Sequence, residues 1–84
     1  MKPIILSAHA LHQARERGAS EDEIREAVRE GEVVPTREGR GGYRLNRPFG
    51  DSWGGHEYAT KQVMPIVAEE ADRLVVVTVY VFYF

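Results

Sequence analysis

Cysteine is absent from this sequence of 84 residues. That removes a disulfide framework, a thiolate metal site and a cysteine nucleophile in one step. Stability must then come from packing or self-association, so a small secreted scaffold is not expected. Long apolar runs are also missing: the longest, from Leu74 to Phe84, is interrupted by Thr78 and falls well short of the roughly 20 residues that span a bilayer. Near the start, Lys2 is followed only by Ile4, Ile5 and Leu6 before polar residues, too little for a secretory hydrophobic region. Cytoplasm is therefore the expected compartment, with no membrane partner. Glycines surround Trp53 at positions 50, 54 and 55, but this segment does not join a strand to a helix as phosphate-cradling loops do. No cofactor is implied. The length allows one domain, covering residues 1–84. A chain of this size buries only about 60 to 65% of its extended surface, enough for one sheet and one or two helices.

Charge is present in both signs, 11 Lys plus Arg against 13 Asp plus Glu, but it is unevenly placed. Residues 35–48 hold Arg37, Arg40, Arg44 and Arg47 against the single Glu38, a local +3. Arginines at this density either face phosphates or line a solvated strand and turn. Residues 19–34 are acidic, and their charges fall where a helix wants them. Ser20 and Glu23 form a capping-box pattern, Glu21, Asp22 and Glu23 crowd the first turn, and Ile24, Ala27 and Val28 make an apolar stripe that Gly31 ends. An earlier helix is expected over 7–18, with Ser7 as N-cap, Ala8, Leu11 and Ala14 at spacing three, and Gly18 as the stop.

After Gly31 the pattern becomes extended. Strands are expected over 32–37, 43–49, 62–69 and 73–84, with turns at 38–42 and 70–72 and a loop over 50–56. Pro35 marks the first strand as an edge or a terminus. In the last strand Val75, Val77, Val79, Val81 and Tyr83 should point one way, and Leu74, Val76, Thr78, Tyr80, Phe82 and Phe84 the other. Two apolar faces suit a central strand. The expected fold class is α+β: two N-terminal helices packed on one face of a roughly four-stranded antiparallel sheet. The other face keeps its aromatics. It is open to a homodimer, to stacking of unpaired bases, or to cover by the chain's own loops and ends.

Acid–base chemistry near neutrality falls to His9, His12 and His56. On a helical wheel His9, His12, Gln13 and Glu16 share one side, with Arg17 at its margin, opposite Leu11 and Ala14. That side is either solvated or turned toward a substrate, or His9 bonds to the sheet. Two histidines at spacing three with His56 as a third would suit zinc, but a closed site needs a fourth ligand, and no metal is assigned.

Taken together, Ser7, His9 and Ala10, then Arg17, Gly18 and Ser20, then Ile24, Ala27, Gly31 and Glu32, and the VVVTVY run from Val75 to Tyr80 resemble the domain of unknown function family DUF4258. The resemblance covers nearly the whole chain and implies a fold similar to RelE, barnase, EndoU and colicin-type ribonucleases. Relatives of that kind are often small toxins that cut RNA and are neutralised by an antitoxin-like protein. Carried over by position, His9 matches the family histidine and Arg17 its second arginine, while Gln13 stands where a first arginine is usual. A neutral amide lacks the permanent charge that steadies a phosphorane-like transition state, and Arg15 faces about 200° away from it. The resemblance also makes the segment from Gly50 to Lys61 longer than usual. It implies metal-free cleavage of RNA, with His9 as base or acid, Arg17 as phosphate clamp, Tyr80 as second proton donor or stacking surface, and Arg44, Arg47, His12 and Gln13 toward the substrate. The competing expectation is a non-catalytic homodimeric module that binds protein or RNA.

Overall fold

Backbone groups at helix ends need partners, and both helices find them in the residues the sequence marks. The structure, a computed structural model describing residues 2–37 and 39–84, opens with β1 (Ile4–Leu6), followed by α1 (Ala8–Arg17) and α2 (Glu21–Glu30). The Ser7 hydroxyl accepts from the Ala10 amide; at the other end Gly18 donates its N–H to the Ala14 carbonyl, and its φ of 82° turns the chain so that the Ala19 N–H reaches the same carbonyl at 2.9 Å. Ser20 and Glu23 close a full capping box, with Glu23 N–H to Ser20 at 3.1 Å and Ser20 N–H to Glu23 at 2.9 Å. Glu38, expected to open a turn and offset the neighbouring arginines, lies outside the described residues.

Four more strands follow: β2 (Glu32–Pro35), β3 (Gly41–Trp53), β4 (His56–Glu69) and β5 (Leu74–Tyr83). The sheet has five strands in the order β1-β5-β4-β3-β2 and is mixed. This corrects the expected four antiparallel strands. β1 pairs parallel to β5, Ile4 with Leu74 through Leu6 with Val76, and three apolar residues are too few to reveal a strand period in sequence. The expected loop over 50–56 is also corrected. β3 and β4 run on past Phe49 to a two-residue turn, with Trp53 opposite His56 and positive φ at Gly54 (59°) and Gly55 (86°). Two successive left-handed residues give a hairpin turn that matches the twist of its strands. An irregularity between Pro48 and Asp51, with Gly50 at φ 58°, bends the hairpin. Its tip brings Trp53 onto Tyr83, with ring centroids 4.9 Å apart and planes at 16°.

Strict alternation fails in β5. Ile66 pairs with Thr78 and Val67 with Val76, so Val77 is an extra residue. Val76 and Val79 consequently both enter the core, and the expected division of the strand into two alternating sets holds only on either side of this bulge. The core joins Ala10 and Ala14 of α1, Ile24, Ala27 and Val28 of α2, and Val63, Val67, Val76 and Val79 of the sheet. Lys61 is buried with them and is paired: its ammonium donates to the Gly18 carbonyl and, at 2.9 Å, to Glu23. A buried ammonium is tolerable only with such partners.

Candidate functional site: the seam between α1 and the open edge of β5

β1 covers the outer edge of β5 only from Leu74 to Val76. Beyond it the β5 backbone would present unpaired groups, which are costly when buried and sticky when exposed. The first helix supplies the partners. The Ser7 hydroxyl donates to the Val77 carbonyl at 3.3 Å, the Gln13 side-chain oxygen accepts from the Val79 amide at 3.1 Å and from the Thr78 hydroxyl, and Arg17 Nη1 donates to the Val79 carbonyl at 2.7 Å. Gln13 and Arg17 therefore do the work of a missing strand. An acceptor is needed opposite the Val79 amide, and a guanidinium offers none, which gives Gln13 a structural reason to be there.

Arg17 is held at both ends. Its carbonyl accepts from the Tyr83 hydroxyl at 2.6 Å, and its guanidinium carbon lies 5.6 Å from the Tyr80 ring centre, close enough for a cation–π attraction. Tyr80 stacks in turn on Phe82, with centroids 6.4 Å apart and planes at 16°. His9 lies one turn before Gln13, on the same stripe of α1 as Gln13 and Arg17. It is solvent-exposed. His12 is exposed as well and pairs with Glu16 at 3.1 Å. The structure thus brings Gln13, Arg17 and Tyr80 together, places His9 at the outer end of their stripe, and leaves His12 apart.

Arg44 and Arg47 sit elsewhere. Both belong to β3, two strands from β5. Arg44 is tied to Glu32, and Arg47 donates to Glu26 through Nε at 2.6 Å and approaches Glu30 at 3.7 Å. Among the described residues no group of three His, Asp or Glu side chains is placed to hold a metal ion. His56 stands at the β3–β4 turn beside Tyr58.

The side of the sheet turned away from the core cluster carries Met64, Ile66, Thr78 and Tyr80, and with Val34, Arg37 and Arg40 these line a groove of about 390 Å³. The basic stretch flagged in the sequence divides into two halves with different surroundings. Glu26, Glu30 and Glu32 are close in sequence to one another and absorb Arg44 and Arg47, whereas Arg37 and Arg40 fall on the β2–β3 connection that borders the groove.

Electrostatics supports the scaffold beneath the seam. Burial alone pushes the Glu23 carboxyl up, but the Ser20 amide, the Lys61 ammonium and the Ser20 hydroxyl together hold it below the ordinary carboxylate range. The Tyr83 phenol is pushed up, first by burial and then by the nearby Glu23 charge, so it remains a donor to Arg17 at neutral pH.

These features define a small α+β domain whose first helix seals an open sheet edge and presents an arginine over a tyrosine. The chain belongs to the domain of unknown function family DUF4258, whose model matches residues 6–81. No curated protein and no solved structure matches it.

Proposed function

We propose that this chain is a small cytoplasmic toxin-type domain that cleaves RNA without a metal ion and is held in check by an antitoxin-like protein. The reading takes both helices to lie on one face of the sheet, in the manner of RelE-like and barnase-like ribonucleases. The observation that carries it is the Arg17 guanidinium, fixed by the Val79 carbonyl and lying 5.6 Å from the Tyr80 ring centre, on the helix stripe that also bears His9. One nitrogen of Arg17 is engaged there, and a guanidinium has further donors to offer a phosphate.

In the proposed reaction the RNA 2′-hydroxyl attacks the adjacent phosphorus and the 5′-oxygen of the next nucleotide leaves, giving a 2′,3′-cyclic phosphate and a free 5′-hydroxyl. His9 removes the proton from the attacking hydroxyl, Arg17 steadies the charge that builds on the phosphoryl oxygens, and the Tyr80 hydroxyl protonates the leaving oxygen. Gln13 adds no charge to this site. Its contribution is to hold the β5 edge in place.

Incubation of the purified chain with single-stranded RNA tests this. Cleavage should leave cyclic phosphate ends, fail at a 2′-deoxy position, and fall about 100-fold or more in His9→Ala, the usual scale for losing a general acid or base. Equal cleavage by wild type and His9→Ala, or none by either, sinks the reading.

A second reading, a non-catalytic homodimer or binding module of the same fold, is favoured by the apolar residues left at the surface. Phe82 is 45% and Phe84 57% exposed, and the hydrogen bonds that the Gln13 and Arg17 side chains make all go to β5. Light scattering together with the cleavage assay separates the two readings.

A further inference from the structure

We infer that the groove between the β2–β3 connection and β5 is where single-stranded RNA lies, with an unpaired base stacked on the Tyr80–Phe82 pair and its flanking phosphates on Arg37 and Arg40. The inference deepens the proposed function and rests on it for the nature of the substrate. Three observations meet at the groove. Its floor is apolar, formed by Val34, Met64 and Ile66. Tyr80 closes one side and continues into Phe82, the two rings nearly parallel and both more than 40% exposed. On the other side stand Arg37 and Arg40, and no described carboxylate lines the space. An apolar floor with a flat aromatic wall takes the face of a base, and cations beside it take the backbone, which is how strands without base pairs are gripped. A duplex keeps its bases stacked inward and has no free face to offer. Arg17 lies against the same Tyr80 ring, so a strand in the groove would place its next phosphate toward the seam that holds the proposed chemistry.

The test measures the anisotropy of a fluorescein-labelled 2′-O-methyl oligouridine, which cannot be cleaved. The Arg37→Ala, Arg40→Ala double variant should bind at least tenfold more weakly and lower the salt slope by about 1.4, two contacts at roughly 0.7 each on a single strand. Phe82→Ala should weaken binding about tenfold through lost stacking. A hairpin duplex should bind at least tenfold more weakly than the single strand. Arg29→Ala, on the exposed end of α2, should bind as wild type does, and circular dichroism checks that every variant is folded. Unchanged affinity in both groove variants overturns the inference. So does a result in which only the arginines matter and polyglutamate displaces the RNA equally well, since that describes an acidic protein partner. Cleavage of ordinary RNA is scored in parallel. Binding that follows the groove while wild type cuts nothing overturns the proposed catalysis and leaves the groove standing; cleavage that proceeds unaltered in both groove variants does the reverse.

Discussion

Gly18 carries more constraint than any other single residue near the seam. It ends α1 at φ 82°, and a Cβ there would lie 2.6 Å from Trp53 Cζ3 and 2.7 Å from the Tyr83 hydroxyl. Gly18→Ala therefore meets both a left-handed backbone and a filled space, and urea denaturation should show a loss of about 2 kcal/mol or more. Gln13 makes a different case. Gln13→Leu keeps the volume but leaves the Val79 amide without its acceptor, at a cost of about 1–3 kcal/mol. Gln13→Glu retains an acceptor and should lose less in the same measurement. The third residue-scale prediction concerns acid. The folded-state pKa of Glu23 is depressed, so its contribution is present above the unfolded carboxylate value and is lost as pH falls through the lower folded one. Urea midpoints measured from about pH 6 down to about pH 3 should decline in wild type and decline less in Glu23→Gln, which starts lower because Lys61 loses its charged partner. Parallel slopes would show that Glu23 is not the group responsible.

At the scale of elements, what could be read from sequence is what local chemistry decides. Ser7, Gly18, Ser20, Glu23 and Gly31 fix the helix ends through bonds within a few residues, and both helices form between those marks. The remainder depends on contacts distant in sequence. β1 exists because Leu74 to Val76 offer it an edge, and Gly50 to Trp53 is strand because the hairpin tip folds back on Tyr83. In sequence, its Gly, Asp and Ser residues carry the signature of a loop. The candidate site was half legible. Helical spacing put Gln13 on one side with His9, His12 and Glu16 and left Arg17 at its margin, but nothing local showed that Arg44 and Arg47 would be taken up by acidic residues or that Val77 would bulge. The hairpin itself can be tested. Trp53 is the sole tryptophan, and it stacks on Tyr83, which also binds the Arg17 carbonyl. Trp53→Ala should cost about 1–2 kcal/mol, the stacking and burial of a partly exposed ring. Hydrogen exchange should then quicken at residues 50–58 ahead of the core strands.

The whole molecule is longer than its size requires. Its radius of gyration is 12.7 Å and its extents are 41 × 24 × 23 Å, against about 11.8 Å for a compact chain of this length. The excess comes from β3 and β4, which outrun the short edge strands β1 and β2. An elongated sheet flanked by few residues leaves apolar side chains uncovered, and Tyr80 and Phe82 lie together on β5, the strand that also borders the groove, with Phe84 just past its end. Self-association and RNA binding would therefore draw on the same side chains. If the second reading holds, sedimentation at rising concentration shows a dimer formed through this strand, and an uncleavable single-stranded oligonucleotide shifts it toward a complex containing one chain of 9.5 kDa. Phe82→Ala should weaken both equilibria together. A dimer that binds RNA without dissociating would place self-association on another surface, such as the β2 edge where Val33 is 70% exposed, and would uncouple oligomeric state from the groove.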